Sequence, residues 1–405
     1  MTIEQNQRIE TIQGVGQLAV DTVLGITDLV DTMHRTIISF GGRIGDPDQT
    51  QTTGIAGMVY AAVRNVTAGV GKGLNISLNQ LSLPLTKKEE ASSNSRETLL
   101  AALNGVFGDS LVAKSNPLAI SMGFRHAGAT LSDERLAELM NQADGKVVML
   151  VHGSCMNDLQ WDRNGHDHGV ALAHDLGLTP IYLHYNSGLH TSENGKILAD
   201  LLEATLALAN RPIGFHILAH SMGGLVARSA IYYGKQAGHS WPAQLNKLVF
   251  LGTPHHGAPL ERGGNWIDNI LEVSPYSTPF AQLGKIRSSG VTDLRYGNVV
   301  DDDWQGADRF IRSGDSRTPV PLPDGIECYA IAGSRIKLAS KISDRFIGDG
   351  LVPVDSALGH HQANERQLLF HESNQWIGRG ISHLDLLSHP TVYETLKIWL
   401  ADENG

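Results

Sequence analysis

A turn of small residues around one serine constrains this chain more than any other feature. The segment Gly214–Arg228 predicts an apolar strand, a sharp turn at Ser221 and the start of a helix. A serine hydroxyl is a poor nucleophile unless it is held exposed beside a general base, and a strand-to-helix turn holds it in that way. Such a turn needs small residues two positions before and after the serine, and Ala219 and Gly223 stand there. Ser221 is the predicted nucleophile, and the alternative is a glycine-rich helix start with an incidental serine.

A second strand-to-turn segment predicts a pair of backbone donors for negative charge. The run Lys146–Met156 is a buried-type strand followed by His-Gly, and Gly153 lets the backbone turn tightly. The next amide, that of Ser154, can then point at a developing oxyanion. The N–H of Met222, at the start of the helix that follows the nucleophile, is the predicted second donor. Both donors are main-chain groups, so neither side chain is required for the chemistry.

The predicted acid is Asp349, which lies between glycines on the loop Ile347–Ala357. This loop follows a predicted strand at Glu327–Gly333, and catalytic side chains gather at the carboxyl ends of parallel strands. Asp344 and Asp355 are the local rivals, and Asp355 is interpreted as a turn or capping residue.

The predicted base is His383, on a loop just before an amphipathic terminal helix at Thr391–Ala401. The chain contains 18 histidines, and His383 stands out because it completes the order Ser, Asp, His along the sequence. His389 precedes a proline that can open the terminal helix, so we interpret it as structural. His152 precedes a turn in a buried strand, and Cys155 has no identifiable partner histidine. Both are therefore also interpreted as structural.

Together these motifs resemble the lipase/esterase branch of the α/β-hydrolase superfamily. The chain is similar to bacterial true lipases and to lipases related to the inositol deacylase of membrane-anchor processing, over about residues 117–405. The resemblance implies Ser221 as nucleophile, Asp349 as acid and His383 as base, with the Ser154 and Met222 amides as the oxyanion hole. The motifs that carry it are V-H-G, A-H-S-M-G-G, L-G-T-P-H-H-G, G-D-G-L-V-P and S-H-L-D-L-L. The departure is Ala219, because the usual pattern is G-x-S-x-G.

The resemblance raises two questions about metals. In some bacterial lipases the Asp two residues after the catalytic histidine helps to bind a structural calcium. Asp385 holds that place, and the acidic run Asp301–Asp303 is a source of a further oxygen ligand. Local capping or pairing of Asp385 is the favoured interpretation. A zinc site on His255 and His256 is weakly supported, because two adjacent histidines are its only evidence. No cofactor or metal is predicted.

Composition is that of an enzyme with a large core. A net charge of −10 speaks against a nucleic-acid partner, and the two cysteines make no disulfide framework. The N-terminus has no basic region followed by a compact apolar run, so we predict no signal peptide and a cytoplasmic location. No stretch of ~20 apolar residues predicts a transmembrane helix.

The pattern divides the chain into a helical region at 1–116 and a catalytic region at 117–405. In the first, helical spacing recurs at Ile26–Ile37, Ile55–Val70 and Glu97–Phe107, and the polar stretch Lys87–Arg96 predicts a linker. In the second, strands alternate with helices, which predicts an α/β fold with a mainly parallel sheet and helices on both faces. After an opening hairpin, the strands are predicted near 147–152, 179–184, 214–219, 246–251, 327–332 and 367–371. A long insertion at about 258–325, rich in aromatic and aliphatic residues, predicts a cap over the site.

The sequence thus predicts a carboxylic-ester hydrolase of lipase/esterase type that acts through an acyl-enzyme on a small-molecule or lipid ester. Acyl transfer, thioester hydrolysis and amide hydrolysis on the same triad stay open, as does a non-catalytic protein that binds a lipid or polymer surface. The N-terminal helices are interpreted as a layer docked on the hydrolase. An interfacial anchor is the alternative, although nine Lys/Arg against eleven Asp/Glu in residues 1–116 is the opposite sign from a basic lipid-binding helix. The helices are also open to a role in oligomerisation.

Overall fold

The computed structural model describes residues 89–143, 146–258, 288–306, 315–337 and 348–401. Several sequence predictions lie outside these ranges. They are the helical runs before residue 89, Asp344, and residues 259–287 and 307–314 of the cap.

Strands and helices alternate along the described chain. The strands are β1 Gly123–His126, β2 Ala129–Thr130, β3 Val147–Val151, β4 Thr179–His184, β5 Phe215–His220, β6 Leu245–Leu251, β7 Glu327–Ser334 and β8 Gln375–Arg379. The helices are α1 Glu89–Ala113, α2 Asp133–Gln142, α3 His168–Leu176, α4 Thr191–Leu206, α5 Met222–Ala237, α6 Ser289–Asp293, α7 Val354–Ala357 and α8 Pro390–Leu400. Short 3₁₀ turns lie at Asp158–Trp161, Trp241–Gln244, Asp301–Asp303, Asn364–Arg366, Glu372–Asn374 and Asp385–Leu387.

The strands form one eight-stranded sheet in the order β2-β1-β4-β3-β5-β6-β7-β8. The hairpin of β1 and β2 is antiparallel and joins the antiparallel edge of β4, whereas β3 to β8 run parallel to one another. β5 lies at the centre of this parallel part, so its carboxyl end, where Ser221 follows, is covered by strands on both sides. The predicted α/β-hydrolase fold is confirmed.

Helices cover both faces of the sheet. Within β3, Val147, Met149 and Val151 pack into one hydrophobic core and Val148 and Leu150 into another. Such alternation follows from the two-residue repeat of a strand, and apolar residues on both faces are the mark of a fully buried strand. Side chains of α1, α2, α4 and α5 fill the first core, and those of α3 and α8 fill the second. The sheet is therefore a rigid platform for loops at its carboxyl edge.

Helix α1 packs directly into the first core. Its buried residues include Leu103, Phe107 and Leu111. At Gly105 the helix comes so close to the β3 loop that an added Cβ would lie 2.8 Å from Cys155 Cα. The stretch 87–96, predicted as a linker, is helical from Glu89 onward, so that prediction is wrong for most of its length. The domain boundary at residue 116 stays a prediction.

The strand predicted near 367–371 is also wrong. Leu368 and Phe370 are buried in the core while Leu369 is 83% exposed, which reproduces the alternation of a strand without its pairing. The backbone N–H of Leu368 instead donates to the carbonyl of Gly359 at 2.9 Å. The last strand of the sheet is β8, which pairs with β7.

Two further features bear on the sequence predictions. Cys155 and Cys328 are both buried and make no disulfide. Over the part of the chain that the structure describes, every helix is too short or too polar to span a bilayer.

Candidate active site

Ser221 occupies a strained turn between β5 and α5. Its backbone has φ 54° and ψ −125°, a combination that L-residues avoid. The turn is held by the Ser221 N–H, which donates to the carbonyl of Leu251 at 2.8 Å, and by the Gly224 N–H, which donates to the Ser221 carbonyl at 3.0 Å. Strain of this kind persists where the surrounding structure fixes it, and here it presents the hydroxyl at the carboxyl edge of the sheet.

Glycine allows the neighbouring loop to approach Ser221. A Cβ added at Gly153 would lie 3.0 Å from Ser221 Cβ, and one added at Gly223 would lie 2.5 Å from the carbonyl oxygens of Val151 and His152. The contact at Gly223 is closer than Cβ atoms come to other atoms, and the contact at Gly153 would force its neighbour to shift. Glycine at position 223 therefore meets the predicted need for a small residue after the serine. The loop that follows β3 therefore lies against the predicted nucleophile.

Asp349 and His383 form a buried pair. His383 Nδ1 donates to Asp349 Oδ2 at 2.7 Å, and the His383 backbone N–H donates to the Asp349 carbonyl at 3.0 Å. The other carboxylate oxygen of Asp349 accepts the N–H groups of Leu351 and Val352 at 2.9 and 2.8 Å. The carboxylate is thus oriented by three donors, and the loop predicted to carry the acid does meet the loop predicted to carry the base.

The hydrogen bond to Asp349 fixes the tautomer of His383. A carboxylate only accepts, so Nδ1 carries the proton in the neutral ring and Nε2 is left with a lone pair, the form that a general base needs. Ser221 is 8% exposed, and its hydroxyl makes no hydrogen bond within the described residues. A hydrogen bond between a nucleophile and its base commonly forms or tightens only when substrate binds.

The two predicted oxyanion donors come from the residue that follows Ser221 and from the β3 loop that approaches it. On the β3 loop, the Cys155 N–H donates to Ser187 Oγ at 2.9 Å and the Gly153 carbonyl accepts His152 Nδ1 at 2.8 Å. The N–H of Ser154, between these anchored positions, has no hydrogen-bond partner in the described ranges, and the same is true of the Met222 N–H at the start of α5. Two backbone donors are left available beside the nucleophile.

Other reactive side chains near the site are occupied in structural contacts. His152 stacks on Tyr185 with ring centroids 4.3 Å apart, and burial lowers its pKa to about 3. Burial raises the pKa of the Cys155 thiol to about 11, so little thiolate forms at neutral pH. His389 caps α8 by accepting the Thr391 N–H. These contacts agree with the interpretation of the three residues as structural.

Asp385 is engaged in its own turn. Its Oδ2 accepts the Ser382 hydroxyl at 2.6 Å and the Ser382 N–H at 3.2 Å. In the acidic run, Asp301 pairs with Lys196, and Asp303 accepts three backbone N–H groups. Local pairing of Asp385, the favoured interpretation, agrees with these contacts.

The adjacent histidines of the Gly252–Gly257 segment face different surroundings. His255 is buried, and its ring centroid lies 4.7 Å from that of Phe250 and 5.7 Å from that of Phe370. The His256 Nε2 donates to the Gly359 carbonyl at 2.9 Å. Both serve as packing and loop-anchoring groups.

Residues 288–306 of the predicted cap pack against the starts of helices α4 and α5. Trp304 stacks on His190 with ring centroids 3.7 Å apart, and His190 Nδ1 donates to the Asp293 carboxylate at 3.1 Å. A Cβ added at Gly290 would lie 2.9 Å from Met222 Cε. Residues 288–306 therefore contact the elements beside Ser221, and the role of the whole insertion as a cap stays a prediction.

Sequence reasoning gave no individual role to two residues at the site. Gly252 follows β6 at φ 57°, and a Cβ there would lie 3.1 Å from both Asp349 Oδ2 and His383 Nδ1. His220 directly precedes Ser221 and contacts His383. Their positions in the sequence could have indicated a role, since each lies at or next to the carboxyl end of a central strand.

We expect Gly252→Ala to lower turnover by roughly 10²-fold, the size that a displacement of about 1 Å produces. The new methyl group would crowd Asp349 and His383 and would meet Leu386 Cδ1 at 2.7 Å. Positive φ adds a stability loss of about 1–3 kcal/mol. Steady-state hydrolysis of p-nitrophenyl esters and thermal unfolding measure the two effects.

Gly238→Ala is the matched control, because Gly238 has φ 73° and an added Cβ meets nothing within 4 Å. This variant should lose similar stability and keep its turnover. Equal turnover in the two variants would contradict the steric interpretation of Gly252.

Comparisons with known proteins place the chain as follows. Residues 121–281 match a family described as a domain of unknown function (DUF7379). No curated protein matches the sequence. Among solved structures, the Bacillus licheniformis lipase BlEst2 in mature form is 16% identical, covering 64% of this chain and 92% of that chain with a TM-score of 0.40.

Two other solved structures have similar statistics. EstA from Clostridium botulinum is 12% identical, covering 64% of this chain and 87% of that chain with a TM-score of 0.39. The type II thioesterase YbtT of the yersiniabactin pathway is 14% identical, covering 63% of this chain and 92% of that chain with a TM-score of 0.39. At these identities and TM-scores, the assignment of chemistry rests on the site residues themselves.

Proposed function

We propose that this protein is a carboxylic-ester hydrolase of lipase/esterase type that works through a covalent acyl-enzyme on Ser221. One observation carries the proposal: a serine in a strained strand-to-helix turn directly follows His220, which contacts His383 of a buried Asp349–His383 pair whose tautomer is that of a general base. The strain has no structural use in a helix start, since a residue with negative φ would begin α5 at lower energy.

The proposed chemistry needs only groups of this chain. His383 Nε2 takes the hydroxyl proton as Ser221 Oγ bonds to the ester carbonyl carbon, and the N–H groups of Ser154 and Met222 bind the oxygen that becomes negative. The imidazolium then gives its proton to the departing alcohol, which leaves an acyl group on Ser221. A water molecule, deprotonated by the same imidazole, releases the acid and restores the serine. Asp349 holds the ring and stabilises its charged form throughout.

Labelling with an alkyl phosphonate that carries a leaving group tests this proposal directly. The proposal expects one phosphonyl group per chain, located on Ser221 by peptide mass mapping, together with hydrolysis of p-nitrophenyl esters. The dependence of rate on acyl length then separates an esterase from a lipase. Folded protein that is neither labelled nor active on any ester would overturn the proposal.

Ser154→Ala is the matched control for the role of backbone donors. The variant keeps the amide and removes only the side-chain hydroxyl of Ser154, so labelling and turnover should be retained. Hydrolysis of thioesters and amides by the same protein, and transfer of the acyl group to added alcohols, decide between hydrolase and transferase chemistry on one triad.

A further inference from the structure

His220 lies between the predicted nucleophile and the predicted base. It is the last residue of β5, is joined by a peptide bond to Ser221, and is 1% exposed. Its ring centroid lies 4.7 Å from that of His383, and Trp161 meets it edge-on at 6.4 Å. The other side chains of β5 are less well placed to link Ser221 with His383, because they lie further from the carboxyl edge of the sheet.

One hydrogen bond joins His220 to the base. Its Nε2 donates to the backbone carbonyl of His383 at 3.2 Å. Because a carbonyl only accepts, Nε2 must carry the proton in the neutral ring, and Nδ1 is then an acceptor. Within the described residues Nδ1 is buried without a hydrogen-bond partner, and it lies 3.1 Å from where a Cβ of Gly153 would be.

An unpartnered buried acceptor is unfavourable because it has lost its hydrogen bonds to water without gaining a partner in the protein. Burial, followed by the nearby charge of His383, lowers the pKa of His220 well below its ordinary value. The ring therefore stays neutral at working pH and keeps its single donor on the side of His383. An apolar side chain would fill the same place without the orphaned acceptor, so stability alone does not account for a histidine here.

His383 is held from two sides. Asp349 binds its Nδ1 and its backbone N–H, and His220 binds its backbone carbonyl. The contact with His220 links His383 closely to the predicted nucleophile, because His220 is joined to Ser221 by a peptide bond. Displacement of this carbonyl would shift the imidazole relative to Ser221 even with the bond to Asp349 intact.

We propose that His220 is a positioning residue that sets the distance between His383 and Ser221 through its hydrogen bond to the His383 carbonyl. The proposal rests on the function proposed above for Ser221 and His383. It assigns to His220 no proton transfer and no contact with substrate. Its effect is expected on the chemical step, whereas binding of the ester is left unchanged.

Three substitutions at this position test the proposal. In His220→Leu, kcat for p-nitrophenyl esters should fall by roughly 10²-fold with KM unchanged, and phosphonate labelling of Ser221 should slow in parallel. His220→Gln places an amide donor near the position of Nε2 and should recover most of the lost rate. His220→Asn carries the same amide on a shorter chain, does not reach the carbonyl, and should behave as the leucine variant does. The glutamine and asparagine pair decides the matter if the leucine variant does not fold.

His216→Leu is the matched control, since His216 is a buried histidine four residues earlier on the same face of β5. It should leave kcat unchanged. A folded His220→Leu protein with wild-type kcat, or equal rates in the glutamine and asparagine variants, would overturn the proposal. Wild-type protein that neither hydrolyses esters nor takes the phosphonate would instead overturn the proposed function, so the two failures are distinguishable.

Discussion

Replacement of Ser221 by alanine is expected to lower kcat for ester hydrolysis on the order of 10⁶-fold, the loss that follows removal of a triad nucleophile. The hydroxyl is the only group removed, so Asp349, His383 and the backbone donors keep their positions. Stopped assays with high enzyme concentration measure the residual rate, and phosphonate labelling should disappear completely. A variant that retains more than a small fraction of the wild-type rate would assign the covalent chemistry to another group.

Ser221→Gly separates the catalytic loss from structural damage. Glycine adopts φ 54° without strain, so this variant should be inactive and yet unfold at a higher temperature than wild type. The expected gain in unfolding free energy is about 1 kcal/mol, the lower end of the strain that such backbone conformations store. An inactive and less stable glycine variant would contradict the assignment of strain to this turn.

Replacement of Asp349 by asparagine is expected to lower kcat by about 10⁴-fold, because the neutral amide no longer demands a proton on His383 Nδ1 and the ring can adopt the wrong tautomer. The amide oxygen can still accept the N–H groups of Leu351 and Val352, so the loop should keep its conformation. Steady-state kinetics combined with thermal unfolding distinguish this specific loss from general destabilisation.

Two other carboxylates serve as controls for Asp349. Asp355→Asn should have no effect on kcat, since its side chain is 52% exposed and its nearest ionic partner is His360 at 3.7 Å. Asp344→Asn tests the rival assignment, because Asp344 lies outside the described residues. Undiminished turnover in Asp349→Asn, with loss in Asp344→Asn, would transfer the role of the acid.

The central strands were predictable because strands that are buried on both faces are rich in apolar residues. β3 is a continuous apolar run, β5 and β6 are mainly apolar, and the predicted bounds of all three differ from the observed ones by one residue. β8 was not predictable in this way. It is the edge strand Gln375–Arg379, it contains a glycine and polar side chains, and its place is set by backbone pairing with β7. Leu368 and Phe370 have the better strand pattern, but they bury their side chains from an irregular segment.

The site was predictable to the extent that local sequence determines local geometry. The turn at Ser221 needs Gly223, and the loop of Asp349 needs the glycines on either side of it, so these positions could be read from short motifs. The contacts of Gly252 and His220 with His383 join segments more than a hundred residues apart, and no spacing rule specifies them. The extent of α1 was missed for a related reason, since its start at Glu89 is polar and the helix is stabilised by core packing of later residues.

Three glycines next to the proposed catalytic groups limit how this site can change over evolutionary time. At Gly153, Gly223 and Gly252 a single methyl group would meet Ser221, the backbone of β3 or the Asp349–His383 pair. At these three positions even an added methyl group would force neighbouring atoms to shift. Laboratory evolution of a new activity on this scaffold should therefore leave all three unchanged, while Gly238, with open space around it, accepts Asn, the residue that best tolerates its left-handed backbone.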